Sequence, residues 1–453
     1  MRTAVVVFTR DLRVTDNPAL AAAARADQVV PLFVIDDAIL RRHAINATRL
    51  AFLLDSLRDI DTSLRSIGGR LVIRRGPWAR KVLSLAARVG ADQIHLAADV
   101  SGYAKRRVAR LRADAGSGRF EVVTHPGVTV SGPQQVSPVT GRPYQIFTPY
   151  YRRWLATPRR AQAAAPAKLT LPFDLDPGRI PDLAELASAA DRPRPEPAAD
   201  APPGGETAGL ARLRAWSADH LAGYEQGHDD LAADATSRLS PYLHFGCVSP
   251  LRLAAGLSGR PGGEPYVRQL AWRDFFCQLL DARPDAADHD FNDRGDRWHD
   301  DPDGLAAWQA GRTGYPVVDA AMRQLTSEGF MHNRARMIVA SFLTKDLYID
   351  WRAGAAHFMA LLADADVANN QLNWQWVAGT GTDRQPHRLF NPTRQGQRFD
   401  PRGEYIARYL PELAGLAADE IQDPSPAVRR SRHYPAPIVD HQAAAAAWHD
   451  RQR

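Results

Sequence analysis

The chain has 453 residues, 45% of them hydrophobic and 24% charged, with a formal net charge of +6; two or three domains with ample core are expected, and the arginine excess permits a nucleic-acid partner without demanding one. No run approaches the roughly 18 apolar residues of a membrane span, and the short apolar stretch after Met1 meets charge too soon for a signal peptide. The only cysteines, Cys247 and Cys277, exclude a disulfide scaffold and a thiolate-rich metal site, so a cytoplasmic protein is expected.

Residues 1–130 alternate β-rich runs with alanine-rich segments. AVVVF (4–8), QVVPLFVID (28–36), RLVIRRG (70–76), QIHLAAD (93–99) and FEVVTHPG (120–127) read as strands. Between them NPALAAAARA, RLAFLLDSLRDIDTSLRSI and WARKVLSLAARVG read as helices. Continuously apolar strands predict a parallel sheet covered on both faces, an α/β domain of Rossmann-like kind. The first strand runs into FTRDLRVTDNP in place of G-x-G-x-x-G, so no nicotinamide site is expected. Residues 131–205 are expected to be an inter-domain linker, rich in Pro, Ala and Asp from about 155 and closing with DRPRPEPAADAPPGG. From 206 to 453 helical periodicity continues almost throughout, which predicts a large all-helical domain with Pro316 at a helix start.

Four stretches carry polar chemistry. In TSRLSPYLHFG (236–246) Ser240 and Pro241 read as N-cap and first helical residue. Its hydroxyls, Arg238 and the helix start suit a phosphate as well as they suit a plain capped turn. In YVRQLAWRDFFCQLL, Gln269 and Trp272 share a helix face with Arg273 beside them; this is either core or a stacking platform with a phosphate contact. In MHNRARM, Arg334 or Arg336 could pair with a later carboxylate, Asp364 or Asp366. Finally, ADVANNQLNWQWVAGTGTD, from Ala365, concentrates indoles and carboxamides, and six of the ten tryptophans fall between 272 and 376. Buried amides and indoles need polar partners, so this stretch points to a flat, polar-edged ligand. No nucleophile elbow, H-E-x-x-H or P-loop occurs, and the inventory fits an organic redox cofactor that the protein binds and orients.

FTRDLRVTDNPAL, TSRLSPYL, WRDFF, TGYPVVDAAMRQL, MHNRARMIVASFLTKDL, ANNQLNWQW, GTGTD and FNPTRQGQRFD occur in this order. Together they resemble the photolyase/cryptochrome family along nearly the whole chain, nearest to its class I cyclobutane pyrimidine dimer photolyases. The resemblance implies an α/β antenna domain, a long linker and a helical domain holding FAD, in a monomeric enzyme that repairs UV-damaged DNA with light. It assigns Tyr224, Thr236, Ser237, Arg238, Leu239 and Ser240 to the phosphate side of FAD. Arg336 and Asp364 match the ionic pair beside the isoalloxazine, while Asn333 and Asp366 match flavin-pocket positions. Asn370 matches the residue opposite flavin N5.

The same resemblance assigns Trp374, Trp351 and Trp298 to an electron-transfer chain from flavin to surface. Trp272, Trp376 and Met337 match the pocket for a flipped dimer, and Arg334 and Arg388 match DNA backbone contacts. Two positions depart from the pattern: Gln269 stands where cyclobutane-dimer enzymes use Glu, and Phe330 replaces a Trp. These leave a cryptochrome-like photoreceptor and (6-4) photoproduct repair as alternatives. Arg49, Asp99 and SGYAKRRVARL resemble antenna-pocket regions, with 8-hydroxy-5-deazaflavin favoured over methenyltetrahydrofolate; an ordinary α/β crevice is the bland alternative.

Overall fold

Five apolar runs become strands: β1 (Thr3–Phe8), β2 (Gln28–Asp36), β3 (Val72–Gly76), β4 (Gln93–Ala97) and β5 (Glu121–His125). They form one parallel sheet in the order β3-β2-β1-β4-β5. The register sets Val5 between Val30 and Ile94. All three are buried with Val7, Leu32, Val72 and Leu96 against Trp78, Val82 and Leu85 of the helix Trp78–Arg88. β-Branched side chains suit such a two-sided pleated interior, which is why these strands read as continuous apolar runs.

The structure, a computed structural model, describes residues 1–41, 46–116, 120–136, 143–188, 196–383 and 388–451. The chain divides into two units. The first comprises Met1–Pro197, Ala201–Ala222 and Ser237–Pro284 and contains the sheet. The second comprises Ala198–Asp200, Gly223–Thr236 and Asp285–Arg453 and contains no strand among its described residues.

In the first unit the loop after β1 is fixed from within. Arg13, fully buried, donates to the carbonyls of Thr15, Asp16, Gly127 and Gly246. Glu206 accepts from the backbone N–H groups of Val14 and Thr15. Such complete pairing is what a buried guanidinium requires. This unit also holds the helix Gly263–Ala282, with Gln269 and Trp272, and the ten-residue helix Phe147–Ala156. The latter lies in the stretch read as linker. Phe147, Tyr150 and Trp154 are buried in it at helical spacing.

The second unit packs the helices Pro316–Glu328, Asn333–Ser341, Trp351–Leu361 and Val367–Ala378 around Trp308, Leu325, Ile338, Phe342, Trp351 and Trp374. Pro316 is the first residue of its helix, where a missing N–H costs nothing. Asp319, also buried, ties the preceding turn by accepting from Thr313 N, Thr313 Oγ1, Gly314 N and the Tyr434 hydroxyl. No described helix is long and apolar enough to cross a membrane.

Candidate functional site

The segment ADVANNQLNWQWVAGTGTD begins with a strained turn. Ala365 has φ of 29°, in the left-handed region that costs an L-residue about 1–3 kcal/mol. On either side of it Asp364 and Asp366 are buried. Asp364 meets the Arg336 guanidinium at 3.3 Å, so the sequence alternatives resolve to this pair. Arg336 is held in turn by its Nε donating to the Met331 carbonyl at 2.8 Å, and it lies over the Phe330 ring at 5.8 Å. Phe in place of Trp thus keeps a ring face for this arginine. Asp366 acts first as an N-cap, accepting from Asn369 N at 3.0 Å.

One turn on, Asn370 is buried, and its Nδ2 donates to the Ala355 carbonyl at 3.1 Å and to Gln371 Oε1 at 2.8 Å. A carbonyl can only accept, so this contact fixes the amide orientation. Oδ1 is left as an acceptor without a hydrogen bond among the described residues. Gln375, wholly buried, accepts from Phe291 N and donates to Ala286 and His289 carbonyls, locking the adjacent loop. Asn333 is exposed at the first position of its helix, which His332 caps.

Trp374 and Trp351 are buried on separate helices, and Trp298 is half-buried in an irregular segment. Trp374 is edge-on to Phe358 at 5.0 Å and to Trp308 at 6.0 Å. The Trp351 indole donates to Asp290 at 2.7 Å, and Trp298 packs on Tyr348 at 4.9 Å. Trp376 is half-buried on the helix of Trp374, 200° away around the axis at helical spacing, roughly.

The two arginines expected on the DNA backbone differ. Arg388 is exposed, over the Phe390 ring at 4.9 Å, and its carbonyl accepts from the buried Lys345 ammonium. Arg334 is engaged by both oxygens of Asp229, at 3.2 and 2.6 Å, and lies over Phe399. Its Nη1 lies 4.0 Å from the Met337 sulfur. Asp229 was not picked out in the sequence; nothing local marks a partner 105 residues away.

Around the TSRLS motif, Tyr224 is buried and Thr236 Oγ1 is a buried hydroxyl without a hydrogen-bond partner among the described residues. In the first unit the Ser237 hydroxyl is 2.8 Å from the Tyr266 hydroxyl and accepts from Leu239 N. Arg238 has φ of 51°, a second left-handed residue at a candidate cofactor position. Ser240 is the first residue of the helix Ser240–His244 and not its N-cap; Leu239 holds that place and no side chain caps the turn. Its N–H groups are left for another acceptor.

Also in the first unit, Gln269 is exposed and Trp272 half-buried. Trp272 lies flat on Phe147, centroids 3.6 Å apart and planes 5° apart. Arg273, read as a phosphate contact, instead donates to the carbonyls of Val128 at 2.6 Å and Leu243 at 3.3 Å. It is a structural clasp.

Of the antenna residues, Arg49 is buried and Asp99 pairs with Arg10 at 3.2 Å. Neither lines the crevice of about 900 Å³ at the carboxyl ends of β2 and β3, but SGYAKRRVARL does, through Tyr103, Arg106, Arg107 and Arg110. There Arg107 lies over the Trp78 ring at 4.2 Å, with its buried Nε unpaired, and Tyr103 donates to Asp36 at 2.6 Å.

Comparison with known proteins places this geometry. Residues 4–169 match the DNA photolyase family model and 266–453 that of the FAD binding domain of DNA photolyase. The chain is 51% identical to a deoxyribodipyrimidine photo-lyase of Streptomyces griseus over 97% of both chains. It belongs to the DNA photolyase family. A bacterial class III photolyase from Agrobacterium tumefaciens has the same fold, with a TM-score of 0.91 at 34% identity over 100% of this chain and 97% of that one. A Synechocystis cryptochrome reaches the same score at 28% identity, covering 99% of each. Photolyase is therefore the level at which sequence and fold agree, and the helical region is an FAD-binding domain. In the second unit the Thr236 hydroxyl, without a partner among the described residues, the Arg336–Asp364 pair and the Asn370 acceptor fit that cofactor.

Proposed function

We propose that the chain repairs cyclobutane pyrimidine dimers in DNA with light. The electron that splits the dimer comes from photoexcited, reduced FAD and returns to it; this is the chemistry the cofactor supplies. The chain's residues bind, orient and hold protons. The observation that carries the reading is Asn370: with its NH2 pinned to Ala355, it presents an oxygen acceptor. An acceptor suits an N–H and not a bare ring nitrogen, so it favours the reduced cofactor that repair requires, without adding charge. The Arg336–Asp364 pair supplies a neutral, fixed dipole beside it.

Tyr224 and Thr236 in the second unit, and separately Arg238 and the Ser240 helix start in the first, carry groups suited to a diphosphate. Trp272 and, in its own unit, Trp376 are proposed to stack on extruded pyrimidines, a cheap extrusion for a damaged, poorly stacked step. In the first unit Gln269 can donate to and accept from a pyrimidine edge; in the second, Met337 offers a thioether face to a base, and Arg388 and Arg334 offer charge to the backbone. Trp374, Trp351 and Trp298 serve reactivation of oxidised flavin. The Trp78–Arg107 crevice is proposed for an antenna, 8-hydroxy-5-deazaflavin ahead of methenyltetrahydrofolate, because its arginines favour a flat anion.

The test is irradiation of the reduced holoprotein with DNA carrying either dimer type. Restored thymine absorbance with cyclobutane-dimer DNA is expected. Absorbance no higher than the dark control, with substrate bound, would overturn the proposal; recovery only with (6-4) DNA would reassign the lesion.

A further inference from the structure

Beside Trp272 the first unit carries a strip of rings and arginines. Phe147 is sandwiched under Trp272, and Tyr151 stacks on Phe147 at 5.5 Å and 15°. Two rings left to themselves prefer an offset or edge-on arrangement, so the flat sandwich is imposed by the helix Phe147–Ala156 packing on Gly263–Ala282. Tyr151 continues to the buried Trp154, whose indole donates to Asp274 at 3.0 Å. The strip is therefore anchored in the core at one end and reaches a half-buried Trp272 at the other.

The cations along it are of an unusual kind. Arg268, one helical turn before Trp272, lies over Phe147 at 5.6 Å and over Tyr151 at 5.5 Å. It is exposed and makes no ion pair or hydrogen bond among the described residues. Arg152, beside Tyr151 on its helix, is likewise exposed and unpaired among them. Arg159 lies over Trp154 at 4.8 Å. Some exposed arginines of this unit meet carboxylates, as in Arg58–Asp55, Arg65–Asp61 and Arg110–Asp114. Here the Phe147 and Tyr151 faces hold the Arg268 guanidinium in place while its N–H fork stays open, an arrangement matched to phosphate oxygens.

We propose that Arg268, set on the Phe147–Tyr151 rings, and Arg152, next to Tyr151 on its helix, form a rail for the sugar-phosphate backbone flanking the lesion bound at Trp272. The inference rests on the repair reading and extends it to a helix of the linker region. Charge complementarity and continuity with Trp272 select DNA backbone as the occupant. The rail is sequence-independent: it positions the strand and leaves base recognition to other residues.

The test uses the FAD-loaded protein, whose repair of cyclobutane-dimer DNA is measured first; failure there would fault the repair reading and not the rail. Binding to a dimer-containing duplex is then followed against salt for R268Q, R152Q, R268K and R402Q, the last an exposed arginine of the second unit paired with Glu404. Each of R268Q and R152Q is expected to weaken binding several-fold, for damaged and undamaged DNA alike, and to reduce the salt slope by about 0.9. R268K is expected to keep the slope, and R402Q to match the parent. Unchanged affinity and slope in R268Q and R152Q would overturn the rail. So would a loss equal to that of R402Q, or weaker binding with the parental slope, which would mark a packing role.

Discussion

The two units each hold a tryptophan cluster, and they are built by opposite rules. In the second unit Trp374 is enclosed edge-on by Phe358 and Trp308, while the indoles of Trp308 and Trp351 donate to Val339 O and Asp290. In the first unit Trp272 lies flat on Phe147, half-buried, and Arg268, unpaired among the described residues, lies over the Phe147 ring. Edge-on burial fills every face with protein and excludes water, which suits a ring that must pass an electron. Flat stacking under a half-exposed ring gives a stiff platform with little entropy to lose on binding. The orientation of neighbouring rings thus separates two roles that residue type alone leaves together.

The largest expected effect comes from removing the platform. Trp272→Ala should weaken binding of dimer-containing DNA by about 1–3 kcal/mol, one stacking interaction, while photoreduction of oxidised FAD proceeds at the parental rate. A parallel loss of photoreduction would break the comparison. The converse variant is Trp374→Phe, which should remove most photoreduction and spare repair once the flavin is reduced chemically. Equal photoreduction in variant and parent would remove Trp374 from the electron path.

The enclosure of Trp374 can itself be tested. A Cβ on Gly354 would lie 2.5 Å from Trp374 Cζ3 and 2.6 Å from Leu343 Cδ2. Gly354→Ala should therefore cost about 1–3 kcal/mol by overpacking. Combined with Trp374→Phe it should cost less than the sum, since the smaller ring makes room. Denaturant unfolding of the four proteins measures that coupling, and strict additivity would mean that the two sites do not share the space.

These contrasts lie at the limit of what the sequence carries. The five strands were legible because a parallel sheet buried on both faces makes each strand apolar throughout. The helix Phe147–Ala156 was not singled out, although FTPYYRRW spaces its rings at 147, 150, 151 and 154; proline on either side masked the period. The Arg336–Asp364 pair was foreseen as one of several, but the Asp229 partner of Arg334 and the Phe147 partner of Trp272 lie more than 100 residues away in sequence. The flavin and dimer assignments came from ordered motifs, whereas Ala365 and Arg238, strained beside them, become visible only as backbone angles.

A last contrast sets the two units against each other in pH. Asp274, beneath the first unit's strip, has its carboxyl pushed up to about 6 by burial, against the opposing pull of Arg273, Ser131 N–H and the Trp154 indole. The folded state prefers its protonated form, so its contribution is full below about pH 4 and is lost as pH rises through about 6. His332 in the second unit is pushed down to about 4 by burial. Its Nδ1 must stay unprotonated to accept from Arg334 N and cap the helix, so its contribution is present above pH 6.5 and is lost as pH falls through about 4. Asp274→Asn should stabilise the protein at pH 7 by up to about 3 kcal/mol, the scale of a two-unit change in pKa, leave stability at pH 4 near the parental value, and so steepen its rise between pH 4 and 6. His332→Asn, which keeps an N-cap acceptor without a titrating ring, should flatten the acid limb alone. Thermal unfolding between pH 4 and 7 separates the two, and a parental profile in Asp274→Asn would show that this carboxyl is ionised in the fold at neutral pH without penalty.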